Sequence, residues 1–207
     1  MPHIFITRKI PDAGIILLKN AGYDLDIYEN DNVIPREELL RRVKGCDAIL
    51  SLLTDHIDAE VFDAAGPSLK VVANYAVGFD NVELAAAKER NIIATNTPAP
   101  EVSETVAEHT FALMMALAHR IVEADAYARA EKYLGWSPTL LLGVDVIGKT
   151  LGIVGAGRIG SAVADRAVKG FKMKCVYTGV HRDEAFEKNY GAEFLPLEKL
   201  LEVSDFV

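Results

Sequence analysis

KTLGIVGAGRIGSAVADRA, residues 149–167, decides how this chain folds. Leu151, Ile153 and Val154 form a short apolar run rich in β-branched residues. It ends in Gly155-Ala156-Gly157-Arg158-Ile159-Gly160, a G-x-G-x-x-G. Ile159, Val163, Ala167 and Phe171 then recur at helical spacing, with Arg158, Asp165, Arg166 and Lys169 between them. Strand, glycine turn and helix in that order are the setting in which this spacing binds a dinucleotide; the plainer alternative is an ordinary glycine turn. Backbone geometry gives the reason. Gly155 permits the tight turn, Gly157 lets the chain approach a pyrophosphate, and Gly160 lets helix and strand pack closely. The helix N-terminus then offers free N–H groups and the positive end of its dipole to an anion.

The residue that selects the nucleotide lacks its acid. An NAD site has Asp or Glu roughly 20 residues on, at the end of the second strand, bonded to the ribose 2′-hydroxyl. Here that strand is Met173 to Tyr177, followed by Thr178, Gly179 and Val180 without a carboxylate, and then by His181 and Arg182. A carboxylate would repel a 2′-phosphate, whereas an Arg pairs with it. The reading favours NADP(H), with NAD the alternative, because Asp183 and Glu184 partly offset the positive charge.

Half of the 207 residues are hydrophobic, enough for one large domain or two small ones. A net charge of −8 argues against nucleic-acid or anionic-membrane partners. Cys46 and Cys175 sit in apolar stretches and read as buried, reduced thiols; no metal-ligand cluster is evident. The N-terminal apolar run is too short for a signal peptide and no stretch approaches a membrane span, so a cytoplasmic setting is expected.

Upstream, short apolar runs alternate with amphipathic ones. Strands are expected at 3–7, 23–28, 48–52, 71–73 and 92–94, with helices at 13–20, 35–43, 58–65 and 83–90 between them. Repeated β-α-β units imply a parallel sheet covered on both faces. A boundary is expected at Asn96-Thr97-Pro98-Ala99-Pro100. Val102 to Ile121 then reads as one long helix, apolar nearly all round and therefore buried in the fold or against a second subunit. An irregular arm, Tyr127 to Leu142, leads back to the glycine motif.

Several stretches together resemble the D-isomer-specific 2-hydroxyacid dehydrogenases: ANYAVGFDNV at 73–82, NTP from Asn96, VSETVAEHTFALMMALAHR from Val102 and KTLGIVGAGRIG from Lys149. IFITRKIP at 4–11, SLLTDHID at 51–58 and VYTG at 176–179 resemble the glyoxylate/hydroxypyruvate reductases within that family. The resemblance implies two Rossmann-like or flavodoxin-like α/β domains with the active site in the cleft between them. Residues 1–97 would form the substrate-binding domain and 98–207 the NAD(P)-binding domain, with a homodimer built through 102–146. The family's substrate carboxylate is held by backbone N–H groups, a role implied here for Val77 and Gly78. For the coenzyme, the implied residues are Thr105, Gly155, Gly157, Arg158, Ile159, Gly160, His181 and Arg182. Trp136 lies in the dimer arm.

The family's chemistry also needs an Arg that orients the keto acid, a His that donates a proton, and a carboxylate that holds the His. The resemblance places these downstream of Val207. None of the five histidines reads as a substitute, so an incomplete second domain and an inactive isolated chain are expected. The expected activity is NAD(P)H-dependent reduction of glyoxylate or hydroxypyruvate. The alternatives are an NAD(P)-binding, corepressor-like interaction protein and an inactive remnant.

Overall fold

A computed structural model describes all 207 residues, which divide into two compact units, Met1–Ala99 and Pro100–Val207. The first is a five-stranded, wholly parallel sheet in the order β2-β1-β3-β4-β5. Its strands are β1 (His3–Ile6), β2 (Asp24–Ile27), β3 (Ala48–Ser51), β4 (Val71–Asn74) and β5 (Ile93–Thr95). The crossovers are α1 (Asp12–Asn20), α2 (Arg36–Arg42), α3 (Ala59–Ala65) and α4 (Leu84–Glu89). Strand parity divides the core. Phe5, Ile49 and Val72 face the cluster under α2, α3 and α4, whereas Ile4, Ile6 and Leu50 face Ile10 and Ile15 at α1. Start and stop signals act where the sequence placed them. Pro35 opens α2, and Asp58 caps α3 by accepting from the Val61 N–H at 3.1 Å. Gly22, just past α1, takes a φ of +82° that only glycine adopts freely.

The second unit contains α5 (Pro100–Ala118), α6 (Ile121–Arg129), β6 (Thr150–Val154), α7 (Arg158–Phe171), β7 (Lys174–Thr178), α8 (Glu184–Tyr190), β8 (Glu193–Phe194) and α9 (Leu197–Val203). The sheet runs β6-β7-β8, all parallel, and Phe206 pairs with Leu151 on the free edge of β6. Ile153, Cys175 and Tyr177 pack against α5 and α7, with Phe111 of α5 stacked on Phe171 at 5.3 Å. On the opposite face, Gly152 lets α9 approach: a Cβ there would stand 2.6 Å from Leu200.

Three expectations are corrected. The helix expected from Val102 begins at Pro100, because proline is well placed in the first helical turn, where its missing N–H is no loss. It also stops at Ala118 instead of running to Ile121. Val144 N–H takes the Ala118 carbonyl at 2.8 Å, Gly143 crosses so closely that a Cβ would lie 2.3 Å from that oxygen, and Arg120 turns left-handed at φ +53°. A separate helix, α6, follows, so the irregular stretch begins after Arg129 and not at Tyr127. Of the apolar side chains of α5, Phe111 and Met114 are buried within this chain, and Leu113 (55%) and Leu117 (79%) are exposed, which leaves the expected alternative of a second subunit open to them.

Candidate functional site

In the second unit the sheet reverses its direction of growth at β6. It extends through β7 to β8, and then α9 carries the chain back to the other edge of β6. Ligands of open α/β sheets bind outside the carboxyl ends of the strands at such a reversal, and here that end of β6 is the glycine turn. An apolar groove of about 490 Å³ opens there, lined by Gly155, Ile159, Gly160, Thr110, Leu113 and Phe206. A second, more open groove of about 610 Å³ runs past Gly157 and Arg158 toward Ser103, Glu104 and Arg166.

Each motif glycine has its own reason. Gly155 sits at φ +100°, a conformation that side chains oppose. A Cβ on Gly160 would lie 2.2 Å from the Gly155 carbonyl oxygen and 3.1 Å from Ile153, so the helix closes on the strand only because this residue has none. Gly157 meets nothing within 4 Å, which leaves open space beside the backbone. It is the N-cap of α7 and supplies no side-chain cap, and the first turn contains no acid. The first intrahelical bond is Ser161 N–H to the Gly157 carbonyl, so the N–H groups of Arg158, Ile159 and Gly160 have no helical acceptor. Free N–H groups at a helix N-terminus are the kind of donors that can hold an anion.

At the end of β7, Thr178 and Gly179 place no carboxylate, and a Cβ on Gly179 would meet only the His181 carbonyl at 3.7 Å, an ordinary contact. His181 and Arg182 are both exposed. Arg182 is not a free cation. Its guanidinium forks onto both Glu187 oxygens at 2.7 Å, and Glu187 also accepts from the Tyr177 hydroxyl at 2.9 Å. The Arg182 bond, chiefly, holds the Glu187 carboxyl below its ordinary range. Periodicity gave no sign of this acid. Thr105, on α5, donates its hydroxyl to the Glu101 carbonyl at 3.0 Å and lines neither groove.

In the first unit, the loop after β4 turns its carbonyls inward. Thr97 N–H and hydroxyl hold the Ala76 oxygen, Asn96 Nδ2 holds Val77 O at 2.8 Å, and Asn74 Nδ2 holds Gly78 O at 3.0 Å. Val77 and Gly78 are exposed, and their N–H groups have no acceptor within the protein. Beneath them lies a buried polar set that hydrophobic patterning could not reveal. Ser51 Oγ donates to Asn74 Oδ1 at 2.9 Å, Asn74 and Asn81 exchange amide bonds, and Asn81 Nδ2 reaches the Leu52 and Asp55 carbonyls. Asp55 accepts from Thr7 Oγ1 and from Leu52 N–H.

Both cysteines are buried and free; burial pushes the Cys46 thiol up to about 12 and the Cys175 thiol up to about 11. No three His, Cys, Asp or Glu side chains are grouped to hold a metal ion. No helix is long and apolar enough to cross a membrane.

Comparison with known proteins agrees with this architecture. The chain is 52% identical over 207 residues to a glyoxylate reductase of Korarchaeum cryptofilum, matching all of this chain and 61% of that protein. Among solved structures, the TT0316 protein of Thermus thermophilus superposes with a TM-score of 0.88 at 42% identity, over 98% of this chain and 62% of that one. A D-lactate dehydrogenase of Aquifex aeolicus, solved with NAD and lactic acid, superposes at 0.79 with 29% identity, over 98% of this chain and 58% of that one. The chain thus spans about three fifths of the relatives it matches. Residues 4–191 match the catalytic-domain profile of the D-isomer specific 2-hydroxyacid dehydrogenases, and the chain belongs to that family.

Proposed function

We propose that this chain supplies the two binding loops of an NAD(P)H-dependent reductase of a small 2-keto acid, glyoxylate or hydroxypyruvate. The observation that carries the reading is the glycine turn at the sheet reversal, with its open Gly157, its closed Gly160 and its uncapped helix N-terminus. Those features fit a dinucleotide pyrophosphate held by Gly155, Gly157, Arg158, Ile159 and Gly160. The reduced nicotinamide supplies hydride to the keto carbon in this class of reaction. The chain's own part is to bind and orient: the Val77 and Gly78 N–H groups hold the substrate carboxylate. The glyoxylate reductase similarity of the whole chain supports glyoxylate as the first substrate to try.

NADP(H) is the proposed coenzyme, because Thr178 and Gly179 leave the 2′ position without an acid. Arg182, beside His181, is the cation nearest in sequence, and a 2′-phosphate would compete with Glu187 for it. Homodimer formation through 102–146 is supported by apolar side chains left exposed there, among them Leu117, Leu134 and Trp136. Substrate and second copy are the proposed partners, and two reduced, buried thiols fit a cytoplasmic setting.

Titration of the purified chain with NADPH and NADH, followed by nicotinamide fluorescence, tests the coenzyme site. The expected result is a preference for NADPH that Gly179→Asp reverses, since the new side chain fits without a clash and brings a carboxylate to the 2′ position. Binding of neither nucleotide would overturn the proposal; equal binding of both, unmoved by Gly179→Asp, would remove the NADP assignment.

A further inference from the structure

We propose that Asn96 is a positioning residue for the 76–79 loop: by holding the Val77 carbonyl it turns the Gly78 N–H outward, toward the carboxylate of a 2-keto acid. The inference rests on the carboxylate-binding role given to that loop above. In a trans peptide the carbonyl of one residue and the N–H of the next point in opposite directions across one rigid plane. Whatever fixes the Val77 oxygen therefore aims the Gly78 N–H, and whatever fixes the Ala76 oxygen aims the Val77 N–H. The first is held by Asn96 Nδ2 at 2.8 Å, the second by Thr97 N–H at 2.8 Å and its hydroxyl at 3.1 Å. Both clamps come from the two residues that follow β5, and Ala73↔Thr95 is the last pair of the β4–β5 register. The strand pairing itself thus delivers Asn96 and Thr97 beside the loop that leaves β4. Asn74, 2% exposed, holds the third carbonyl, that of Gly78, and so fixes the far end of the loop.

The two clamps differ in one testable way. Thr97 can lose its hydroxyl and still hold Ala76 through its backbone, whereas Asn96 holds Val77 through its side chain alone. A flexible peptide would have to be ordered at each binding event, which lowers affinity by the cost of that ordering.

The test uses ¹⁵N amide spectra of the whole chain titrated with oxamate, a stable mimic of a 2-keto acid. In the wild type the Val77 and Gly78 amide resonances should shift together, and the Asn96 carboxamide protons should follow with the same dissociation constant. Asn96→Ala should weaken oxamate by roughly tenfold, the scale of one net hydrogen bond. Its amide positions away from 76–79 and 96–97, and its affinity for NADPH, should stay as in the wild type, which loss of the fold would not permit. Thr97→Val should bind oxamate nearly as well as the wild type. If wild-type Val77 and Gly78 do not respond to oxamate, the carboxylate-binding reading of the loop falls, and the Asn96 role with it. If they respond but Asn96→Ala binds equally well, the Asn96 role alone is overturned. Should that variant fail to fold, a wild-type Asn96 carboxamide that ignores oxamate overturns the proposal equally.

Discussion

At the scale of single residues, the glycine turn separates two demands that a motif string merges. Gly160 is required by the fold itself, because a Cβ would strike the Gly155 carbonyl oxygen at 2.2 Å. Gly157 has no such neighbour, so packing within the fold does not require a glycine there. Gly160→Ala is expected to lose about 1–3 kcal/mol of stability through overpacking, a fall in Tm of roughly 2–4 °C per kcal/mol for a chain of this size. Gly157→Ala should cost no more than about 1 kcal/mol, alanine being a poorer N-cap than glycine, yet weaken NADPH binding by at least about tenfold as its methyl group enters the pyrophosphate position. Thermal melts and fluorescence titrations of both variants check this. A Gly157→Ala variant with full affinity would remove the ligand from the explanation. The identity and spacing of these glycines were legible in the sequence, and so was their order between strand and helix. The Arg182–Glu187 fork was not, because Arg182 stands just before the Asp183 N-cap and meets Glu187 only once α8 starts at Glu184.

At the scale of elements, capping and pairing decide what patterning leaves open. Asp58 is both the N-cap of α3 and the partner of Arg36, whose Nη2 approaches its two oxygens at 2.6 and 2.8 Å. Burial alone would raise the Asp58 carboxyl. The bonds from Arg36 and from the Val61 N–H outweigh it and hold the group below its ordinary value. A carboxyl lowered in the folded state adds stability that is fully present above its unfolded value, near ~3.9, and is lost as pH falls through the folded value. Asp58→Asn keeps a capping oxygen and removes the charge. It should therefore be less stable than the wild type at pH 7, by up to about 1 kcal/mol for a partly exposed pair, and the gap should close as the solution is taken below the carboxylate range. Denaturant melts of both proteins across that range measure it; a gap that is constant with pH would show that the ion pair contributes nothing. The same scale explains where the long helix was misread. Its apolar periodicity runs on past Ala118, but periodicity cannot report that Val144 arrives to take the Ala118 carbonyl. Likewise α8, β8 and α9 are short elements whose weak local signals are decided by packing, as where Leu200 and Ser204 meet the bare backbone of Gly152.

At the scale of the whole molecule, each unit carries its own core and its own loop with unpaired backbone N–H groups. Phe5, Ile49 and Val72 centre the first core; Leu151, Ile153 and Tyr177 belong to the second. The alternation of strands and helices made the first parallel sheet legible from sequence, whereas the second was read from the glycine motif and the family resemblance. The polar set under the 76–79 loop escaped, since Ser51, Asn74 and Asn81 interrupt the apolar pattern and gain meaning only as mutual partners. If the two loops bind different ligands, their stabilising effects must also separate. A ligand at about 100 times its dissociation constant adds roughly 2.7 kcal/mol to the state that binds it, and slows amide exchange where opening is coupled to release. Under saturating NADPH, hydrogen exchange followed by mass spectrometry should slow in peptides covering 150–178 and leave those covering 71–82 unchanged. Under saturating oxamate the pattern should invert, with protection centred on 74–82 and 95–97. Protection of both regions by NADPH alone would show one coupled site, and the assignment of one ligand to each unit would have to be abandoned.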